Sequence, residues 1–313
     1  MAIFRCEGRN RIDNEGSPFC SYEQSSYWRG RCPGCGRLYD CEKVGVDSVD
    51  QTNGLTTLGA HKSKSGPQRL STGNEGFDFV LGGGLLAGYV FLLGGFPSAG
   101  KTTLLLMVAD YIAKTQGKVI YASGEESADA VNERARSLEL LNDRVIVLGN
   151  QSTVEDVIEK AKEIKAFLII WDSAQEFVSI RAGGPPGSQS QCKTIGKVIK
   201  DYCSTTKTCA IIVNQMSNQG DLKGGTELEH KCDSINVLAF PKEDDEQAPG
   251  SAEEGYRVLV NSKNRNGVAN RKTYFCMTEE GRLEHVEARS KLIAFPGKGK
   301  YGKKRDRDED DED

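Results

Sequence analysis

One segment constrains this chain more than any other, and it reads Gly95-Phe96-Pro97-Ser98-Ala99-Gly100-Lys101-Thr102. It satisfies the pattern G-x-x-x-x-G-K-[ST] completely and stands between an apolar strand pattern and a helical pattern. In such a loop, backbone N–H groups point at a β-phosphate, the helix N-terminus adds its dipole, and the lysine reaches the β- and γ-phosphates. The segment therefore predicts an ATP site in which Thr102 offers its hydroxyl to Mg²⁺, with Thr103 beside it among the nucleotide-binding residues.

Short apolar runs rich in β-branched residues alternate with helical patterns along the body of the chain. Strands are predicted at 89–95, 119–123, 144–149, 167–172 and 209–215, and helices at 101–115, after Ser127, at 153–165 and around 190–206. This alternation predicts a parallel sheet with crossover helices. The later runs INVLAF, YRVLVNS and KTYFCMT follow without long helices between them, so we expect antiparallel or mixed strands that extend the sheet.

Composition divides the 313 residues into a Cys-rich head (1–44), a polar linker (45–66), an α/β body (67–288) and a charged tail (289–313). The linker and the tail have the composition of disordered chain. The tail carries seven basic residues and no acid over 289–305, and then the octet DRDEDDED with a net charge of −6. The chain's net charge of −4 therefore includes a net +2 on residues 1–305, which permits nucleic-acid binding without demanding it. We expect the basic part of the tail to bind nucleic acid and the acidic part to compete for it.

Two acidic residues follow strands of the predicted sheet. The run FLIIWD ends in Asp172, which would hold Mg²⁺ opposite the loop, although a buried strand ending in Asp is by itself an ordinary structural feature. Glu125 follows the strand 119–123 at the edge where ligands of open α/β sheets bind, so we expect it to activate the attacking water. The neighbouring Glu126 has the simpler interpretation of an exposed acid beside a helix capped by Ser127.

Asn214 and Gln215 end the strand that follows Asp172 along the chain. A neutral amide there would bond the γ-phosphate and move the next loop when that phosphate leaves, but a polar strand end without a role is an equally good interpretation. The loops after Asp172 and Gln215 are rich in small polar residues and carry Arg181 and Lys223. We expect DNA contacts from these loops.

Together these residues and their flanking segments resemble the bacterial RadA (Sms) proteins of the RecA-like superfamily. The segments are RLSTGNEGFDFVLGGGLLAGYVFLLGGFPSAGKTTLLL, VIYASGEES, PPGSQSQ, LEHKCDSINVLAF and KNRNG, and they follow one another as in that family. The resemblance covers about residues 1–288 and implies a RecA-like P-loop ATPase core. It also implies that Glu125 is the catalytic glutamate.

The same resemblance matches Lys263-Asn264-Arg265 to the start of the family's K-N-R-F-G motif. Cations on a strand edge could enter the site of a neighbouring subunit and act on the γ-phosphate as an arginine finger does. Solvated basic residues on an exposed strand are the alternative. Two departures limit the comparison, since Asn266 replaces the family's Phe and the pair Asn214-Gln215 is closer to RecA.

The head resembles the family's zinc module, in which two cysteine pairs flank a tryptophan. Cys32-Pro-Gly-Cys35-Gly is a strong half-site, because C-x-x-C with a following Gly makes a tight turn around a metal. Thirteen residues separate Cys6 and Cys20, where the family has two. We expect tetrahedral Zn²⁺ on these four thiolates, with Cys41 as a substitute ligand, and a metal-free head as the alternative.

By this resemblance the chain is a DNA-dependent ATPase of homologous recombination and repair that processes or branch-migrates intermediates on single-stranded or branched DNA. We expect ATP, Mg²⁺ and Zn²⁺ as cofactors, a homo-oligomeric ring with six subunits, and a RecA-like recombinase as a partner. RecA-type strand exchange and a DnaB-like helicase activity are alternatives. A nucleotide-gated adaptor without motor activity is an alternative of another class.

Two expectations concern the ends of the chain and its location. The chain stops where the family's Lon-protease-like domain would begin, so we expect it to work without that domain. No run of eighteen apolar residues occurs, and the segment MAIFRCEGRN lacks the apolar core of a signal peptide. We therefore expect a cytoplasmic protein with no membrane partner, in the cytoplasm of a host if a phage encodes the chain.

Overall fold

The computed structural model describes residues 3–6, 23–24, 41–44, 69–150, 153–216 and 226–288. The chain forms two compact units, Met1–Gly66 and Pro67–Asp313. Strands β1 (Ile3–Cys6), β2 (Glu23–Gln24) and β3 (Cys41–Val44) of the first unit form an antiparallel sheet in the order β2-β1-β3. In this sheet Cys6 lies opposite Cys41.

The second unit is built around a sheet of nine strands. Its strands are β6 (Val90–Gly95), β7 (Val119–Ser123), β8 (Val145–Leu148), β9 (Leu168–Asp172), β10 (Cys209–Gln215), β11 (Ser234–Ala239), β12 (Tyr256–Asn264), β13 (Lys272–Met277) and β14 (Leu283–Val286). The shorter β4 (Arg69–Leu70) and β5 (Leu85–Leu86) pair with each other. The strand order in the large sheet is β14-β13-β12-β11-β6-β10-β9-β7-β8.

Six strands of this sheet are parallel, from β11 through β6, β10, β9 and β7 to β8, and β12 to β14 are antiparallel. The prediction of a parallel sheet extended by further strands is therefore confirmed. Since β6, β7, β9 and β10 are neighbours or next neighbours, the segments that follow them meet at one edge. That edge is where open α/β sheets bind ligands.

The α-helices of the second unit connect these strands. They are α1 (Glu75–Leu81), α2 (Lys101–Thr115), α3 (Ala128–Ser137), α4 (Val154–Ile164), α5 (Gln189–Thr206) and α6 (Thr226–Lys231). Helices α1, α3, α4 and α5 each follow a capping side chain that accepts a bond from the backbone N–H three residues on, and these caps are Asn74, Ser127, Thr153 and Ser188. The predicted cap at Ser127 is thus confirmed.

Apolar side chains cover both faces of the sheet. Along β6, Phe91 and Leu93 belong to one buried cluster with α2, whereas Val90 and Leu92 belong to another with α4 and α5. A parallel sheet buried on both faces requires such continuous apolar strands. This packing fixes β6 in the centre of the unit, directly before the glycine-rich segment.

Several elements were not predicted from the sequence, and they include α1, α6 and β14 of the second unit. Helices α1 and α6 have seven and six residues, too few for a helical period to be recognised. Strand β14 has four residues, of which only Leu283 is fully buried. Tertiary packing rather than local pattern defines these elements, as the contacts of α1 with β12, β13 and β14 illustrate.

Candidate nucleotide site

The segment from Gly95 to Thr102 joins β6 to α2, in the context that the motif requires. Gly95 is the last residue of β6, Gly100 is the N-cap of α2, and Lys101 to Thr103 form the first turn of α2. The backbone is left-handed at Ser98 (φ 60°) and at Gly100 (φ 97°). The loop therefore curls over the N-terminus of α2, where unpaired N–H groups favour an anion.

Two glycines of this loop cannot carry a side chain without a shift of their surroundings. A Cβ at Gly95 would lie 2.2 Å from the Leu238 carbonyl oxygen of the neighbouring strand β11. A Cβ at Gly100 would lie 2.7 Å from Cδ1 of Leu283 in β14, at a φ that L-residues rarely adopt. The loop is thus packed closely against strands β11 and β14.

Lys101 lies at the centre of the loop and is only 9% exposed. Its Nζ donates hydrogen bonds to the carbonyl oxygens of Gly95 (2.9 Å) and Phe96 (2.8 Å). Burial lowers the pKa of this amine, and the nearby carboxylates of Asp172 and Glu125 oppose that shift. A polyphosphate in the loop would supply further negative charge, which stabilises the ammonium form.

Asp172 at the end of β9 lies beside the first turn of α2, as predicted. Its Oδ2 accepts a hydrogen bond from Thr102 Oγ1 (3.1 Å) and a second one from the hydroxyl of Tyr121. Burial raises the pKa of the carboxyl, and the bonds from Tyr121 and Thr102 lower it. A carboxylate and a hydroxyl are hard oxygen ligands of the kind that Mg²⁺ takes together with substrate phosphates. The donor set therefore fits Mg²⁺–ATP.

Glu125 faces the same site from the segment after β7. The register pairs Ser123 of β7 with Asp172, so the residues that follow these strands are neighbours. The Glu125 carboxylate accepts bonds from Gln215 Nε2 (3.0 and 3.3 Å) and from the hydroxyl of Ser173. Glu126 instead forms a bidentate pair with Arg134 of α3 (2.9 and 3.1 Å). The geometry thus favours Glu125 over Glu126 as the carboxylate that faces the nucleotide.

Strand β10 brings the two amides to the loop. Gln215 pairs with Gly95 in the parallel ladder between β10 and β6, and Asn214 pairs with Gly94 and is buried. Gln215 therefore lies between the first residue of the loop and Glu125. The role of Asn214 and Gln215 toward a γ-phosphate stays a prediction.

Tyr121 and Ser173 contact the site and were missed in the sequence analysis. Tyr121 is fully buried in β7, and Ser173 follows Asp172 across a cis peptide bond. A signal for Tyr121 was present, because a tyrosine inside an otherwise apolar buried strand needs a partner for its hydroxyl. No comparable signal distinguishes Ser173 from the many serines that follow strands.

Lys263 and Arg265 lie away from the loop of their own chain. At the start of β11, Ser234 pairs with Phe91 near the start of β6 and with Asn264 of β12. The loop begins at the other end of β6, where Gly95 pairs with Leu238 of β11. The two cations are thus at the opposite edge of the sheet, at the C-terminal end of α6. Lys263 Nζ donates to the carbonyl oxygen of Glu229 (2.9 Å) and Arg265 to that of His230 (3.1 Å), and Arg265 also pairs with Asp233 (3.5 Å).

The predicted zinc ligands fall largely outside the described residues. Cys20, Cys32 and Cys35 are not described, and the strands give only the backbone positions of Cys6 and Cys41. Among the residues that the structure does describe, no group of three or more His, Cys, Asp or Glu could hold a metal ion. Within those same ranges, no helix is long and apolar enough to cross a membrane.

Comparison with known proteins agrees with this site. Residues 70–166 match the family model described as "ATPase: KaiC". A protein named DNA repair protein RadA from Aquifex aeolicus (strain VF5) is 33% identical over 271 residues, which are 85% of this chain and 58% of the relative. The protein of the same name from Escherichia coli (strain K12) is 30% identical over 82% of this chain and 56% of its own length. The chain therefore spans less than three fifths of the length of these relatives.

Solved structures share the fold. A KaiC-like protein, PH0186 from Pyrococcus horikoshii OT3, superimposes with a TM-score of 0.55 at 17% identity, covering 71% of this chain and all of that one. A second solved structure, an ATPase domain, gives a TM-score of 0.59 at 16% identity, covering 72% of this chain and 94% of that one. These structures show the fold alone, and the sequence matches confirm the stated resemblance: over 82–85% of its length the chain is homologous to proteins named DNA repair protein RadA, and its residues 70–166 match the KaiC-type ATPase family.

Proposed function

We propose that this chain is a DNA-dependent ATPase of homologous recombination and repair, in which the nucleotide state controls the hold on single-stranded or branched DNA. The observation that carries the proposal is the double contact of Glu125 with Gln215 and Ser173. Gln215 ends β10 directly before residues 217–225, and Ser173 opens the segment between β9 and α5. Glu125, the carboxylate best placed for hydrolysis, is thus hydrogen-bonded to a residue at the start of each of the two segments from which we expect DNA contacts.

The residues of the site divide the chemistry between them. Lys101 and the N–H groups of the loop bind the β- and γ-phosphates, and Thr102 and Asp172 hold Mg²⁺. Mg²⁺ bound there neutralises charge on the phosphate oxygens. Glu125 orients the attacking water and accepts its proton, and Gln215 adjusts the position of that carboxylate.

One of the two proposed DNA-binding loops has a defined shape. The buried side chain of Gln191 in α5 accepts a bond from the Ser179 backbone N–H and donates to the carbonyl oxygens of Ala182 and Gly184. Arg181 projects from this loop with 66% of its side chain exposed, and its only ion-pair partner within the described ranges is Glu155 at 3.4 Å. A loop fixed in advance binds a phosphate backbone with little loss of conformational entropy. Lys223 of the other loop lies outside the described residues.

We further propose that Lys263 and Arg265 complete the site of a neighbouring subunit in a homo-oligomeric ring, with six subunits as the expected number. Their position at the edge opposite the loop supports an action on another copy. A contact between one edge of a subunit and the opposite edge of the next subunit repeats head to tail. Such a series closes into a ring when the rotation between neighbouring subunits allows it. Each nucleotide would then lie between two subunits.

The zinc-binding head also belongs to this proposal. The register pairs Cys6 with Cys41 in the backbone ladder, and this pairing supports the variant in which Cys41 joins the ligand set. Metal analysis of protein purified without chelators should give about one zinc per chain for a four-thiolate site. Less than half an equivalent would exclude the zinc head.

The alternatives differ in how ATP turnover responds to DNA. A RecA-type strand-exchange protein and a DnaB-like helicase would both show DNA-stimulated turnover, and joint-molecule and unwinding assays separate them from branch migration. An adaptor would turn over ATP slowly whether or not DNA is present. The name shared by these relatives supports a role in DNA repair for each of these alternatives.

Measurement of ATP turnover with and without single-stranded DNA tests the proposal. We expect severalfold stimulation by DNA, and we expect Lys101→Ala to abolish both turnover and nucleotide-dependent DNA binding, because the lysine is the main cationic contact to the phosphates. The matched control is Lys197→Ala, which removes an exposed lysine of α5 that pairs with Asp201. Turnover without any response to DNA would favour the adaptor, and full activity of Lys101→Ala would refute the nucleotide site.

A further inference from the structure

The hydroxyl of Tyr121 is a feature of the site that the family motif does not include. The ring lies in the middle of β7, paired in the ladder with Val147 of β8 and Ile170 of β9, and no part of the residue is exposed. Its hydroxyl donates to Oδ2 of Asp172. Since the ring is surrounded by apolar core residues, this carboxylate is the polar group that satisfies it.

The same carboxylate oxygen also accepts the bond from Thr102 Oγ1 at 3.1 Å. Two donors on Oδ2 fix the rotation of the carboxylate and leave Oδ1 as the oxygen available to a metal and its water shell. The donors approach from different elements, Thr102 from α2 and Tyr121 from β7. Loss of either one would let the carboxylate turn.

We propose that Tyr121 is a positioning residue for Mg²⁺, which holds the Asp172 carboxylate in the orientation that the metal requires. This inference rests on the proposed ATPase function and adds a residue to its metal site. Groups that hydrogen-bond a metal ligand commonly affect metal affinity by about 10- to 100-fold. The effect of Tyr121 should therefore appear in the Mg²⁺ dependence before it appears in nucleotide affinity.

The test is Tyr121→Phe, which keeps the ring in the core and removes only the hydroxyl. We expect the Mg²⁺ concentration that half-saturates ATP turnover to rise by about 10-fold or more. Binding of a fluorescent ADP analogue without Mg²⁺ should stay unchanged. The Mg²⁺ concentration that half-saturates Mg²⁺-dependent binding of the same analogue should rise by a similar factor, which is a readout independent of turnover.

The matched control is Tyr274→Phe. Tyr274 is also almost fully buried, and its hydroxyl donates to the carboxylate of Asp245 (2.9 Å to each oxygen), three strands away from β6. Both variants lose one tyrosine–aspartate bond, so a general loss of stability would affect them alike, and thermal unfolding measures that loss. Only Tyr121→Phe should change the Mg²⁺ dependence of turnover and of nucleotide binding.

The outcomes separate the inference from the function on which it rests. If the unmodified protein binds nucleotide in an Mg²⁺-dependent manner and Tyr121→Phe matches it or matches Tyr274→Phe, the positioning role of Tyr121 is wrong and the ATPase function stands. If the unmodified protein shows no Mg²⁺-dependent binding or turnover of ATP, the proposed function fails and the inference fails with it.

Discussion

The placement of Arg265 leads to a quantitative prediction about shared sites. In β11, Ser234 pairs with Asn264 and Leu238 pairs with Gly95. These two positions of β11 are four residues apart, so at roughly 3.3 Å per residue the edge near Arg265 and the edge at the loop are separated by about 13 Å. An arginine side chain does not span that distance, and the phosphates would lie farther still, above the loop. Arg265 can therefore act on ATP only in another subunit.

The contacts that hold Arg265 in its own chain do not oppose this role. Its side chain is 51% exposed and lies 3.5 Å from Asp233, and since solvent screens the half-exposed guanidinium, this long contact contributes on the order of 1 kcal/mol. Asp233 is itself buried, and when Arg265 leaves it keeps its bonds from Lys200 and from the backbone N–H of Val90. An arginine finger accelerates turnover by about 10³-fold or more, which corresponds to about 4 kcal/mol. The transition-state stabilisation from an arginine finger therefore exceeds the free energy lost when Arg265 leaves Asp233.

The perturbation is a pair of variants, Lys101→Ala and Arg265→Ala, each of which should lower turnover at least about 1000-fold by itself. In assemblies that contain equal amounts of both variants, an interface is active only when its two intact residues come from different subunits. The Arg265→Ala subunit then supplies an intact loop with Lys101, and the Lys101→Ala subunit supplies an intact Arg265. With random head-to-tail neighbours this holds for about one interface in four, so turnover should return to about a quarter of the unmodified rate.

The assay is ATP turnover of mixed assemblies, co-expressed with two different tags and purified on both. The control replaces one partner with the double variant Lys101→Ala/Arg265→Ala, which cannot form a complete interface with either single variant and should restore nothing. Doubly tagged assemblies that fail to recover activity would refute the action in trans. A single Arg265→Ala variant with unchanged turnover would show that the cation has no catalytic role.

Two further predictions follow from the buried ionisable groups. Because burial raises the folded-state pKa of Asp172 above its unfolded value, its charge destabilises the free protein, and the cost appears as the pH rises through that folded-state pKa. Asp172→Asn should therefore raise the Tm of the free protein by roughly 2–4 °C at pH 8 and by less at pH 4. The same variant should lose Mg²⁺-dependent ATP binding. A lower Tm of the variant at pH 8 would contradict this reasoning. Burial raises the pKa values of Cys203, Cys209 and Cys232 to about 12, so these thiols should not react with iodoacetamide at pH 8 in the native protein. Mass spectrometry should find them unmodified before unfolding and modified after it. Rapid labelling of the native protein would contradict their burial.

The centre of the fold was predictable because its signals are local. The loop motif requires a strand before it and a helix after it, and that requirement fixes β6 and α2 independently of the rest of the chain. Asp172 and Glu125 follow strands of the same parallel sheet, and the carboxyl ends of parallel strands share one edge. Chain order alone therefore brought these three parts of the site together.

Contacts that depend on register were not predictable in the same way. The bond from Tyr121 to Asp172 requires β7 to lie next to β9 with Ser123 opposite Asp172, although β8 separates these strands along the chain. The position of Lys263 and Arg265 likewise depends on the pairing of β12 with β11. A short segment such as α1 has too few residues for a periodic pattern, and long-range packing decides its structure.

The sheet also restricts how DNA could control hydrolysis. Gly95, Asp172 and Gln215 are ends of strands whose ladder bonds hold them about 4.8 Å from their neighbours, and the apolar clusters on both faces resist a change of that spacing. Glu125 is different, because it lies in the segment after β7 and its contacts are side-chain bonds to Gln215 and Ser173. A signal from bound DNA therefore needs to change only these bonds to move the carboxylate, while the phosphate-binding loop and the metal site keep their geometry. Control of turnover without loss of nucleotide affinity is the behaviour that this division predicts.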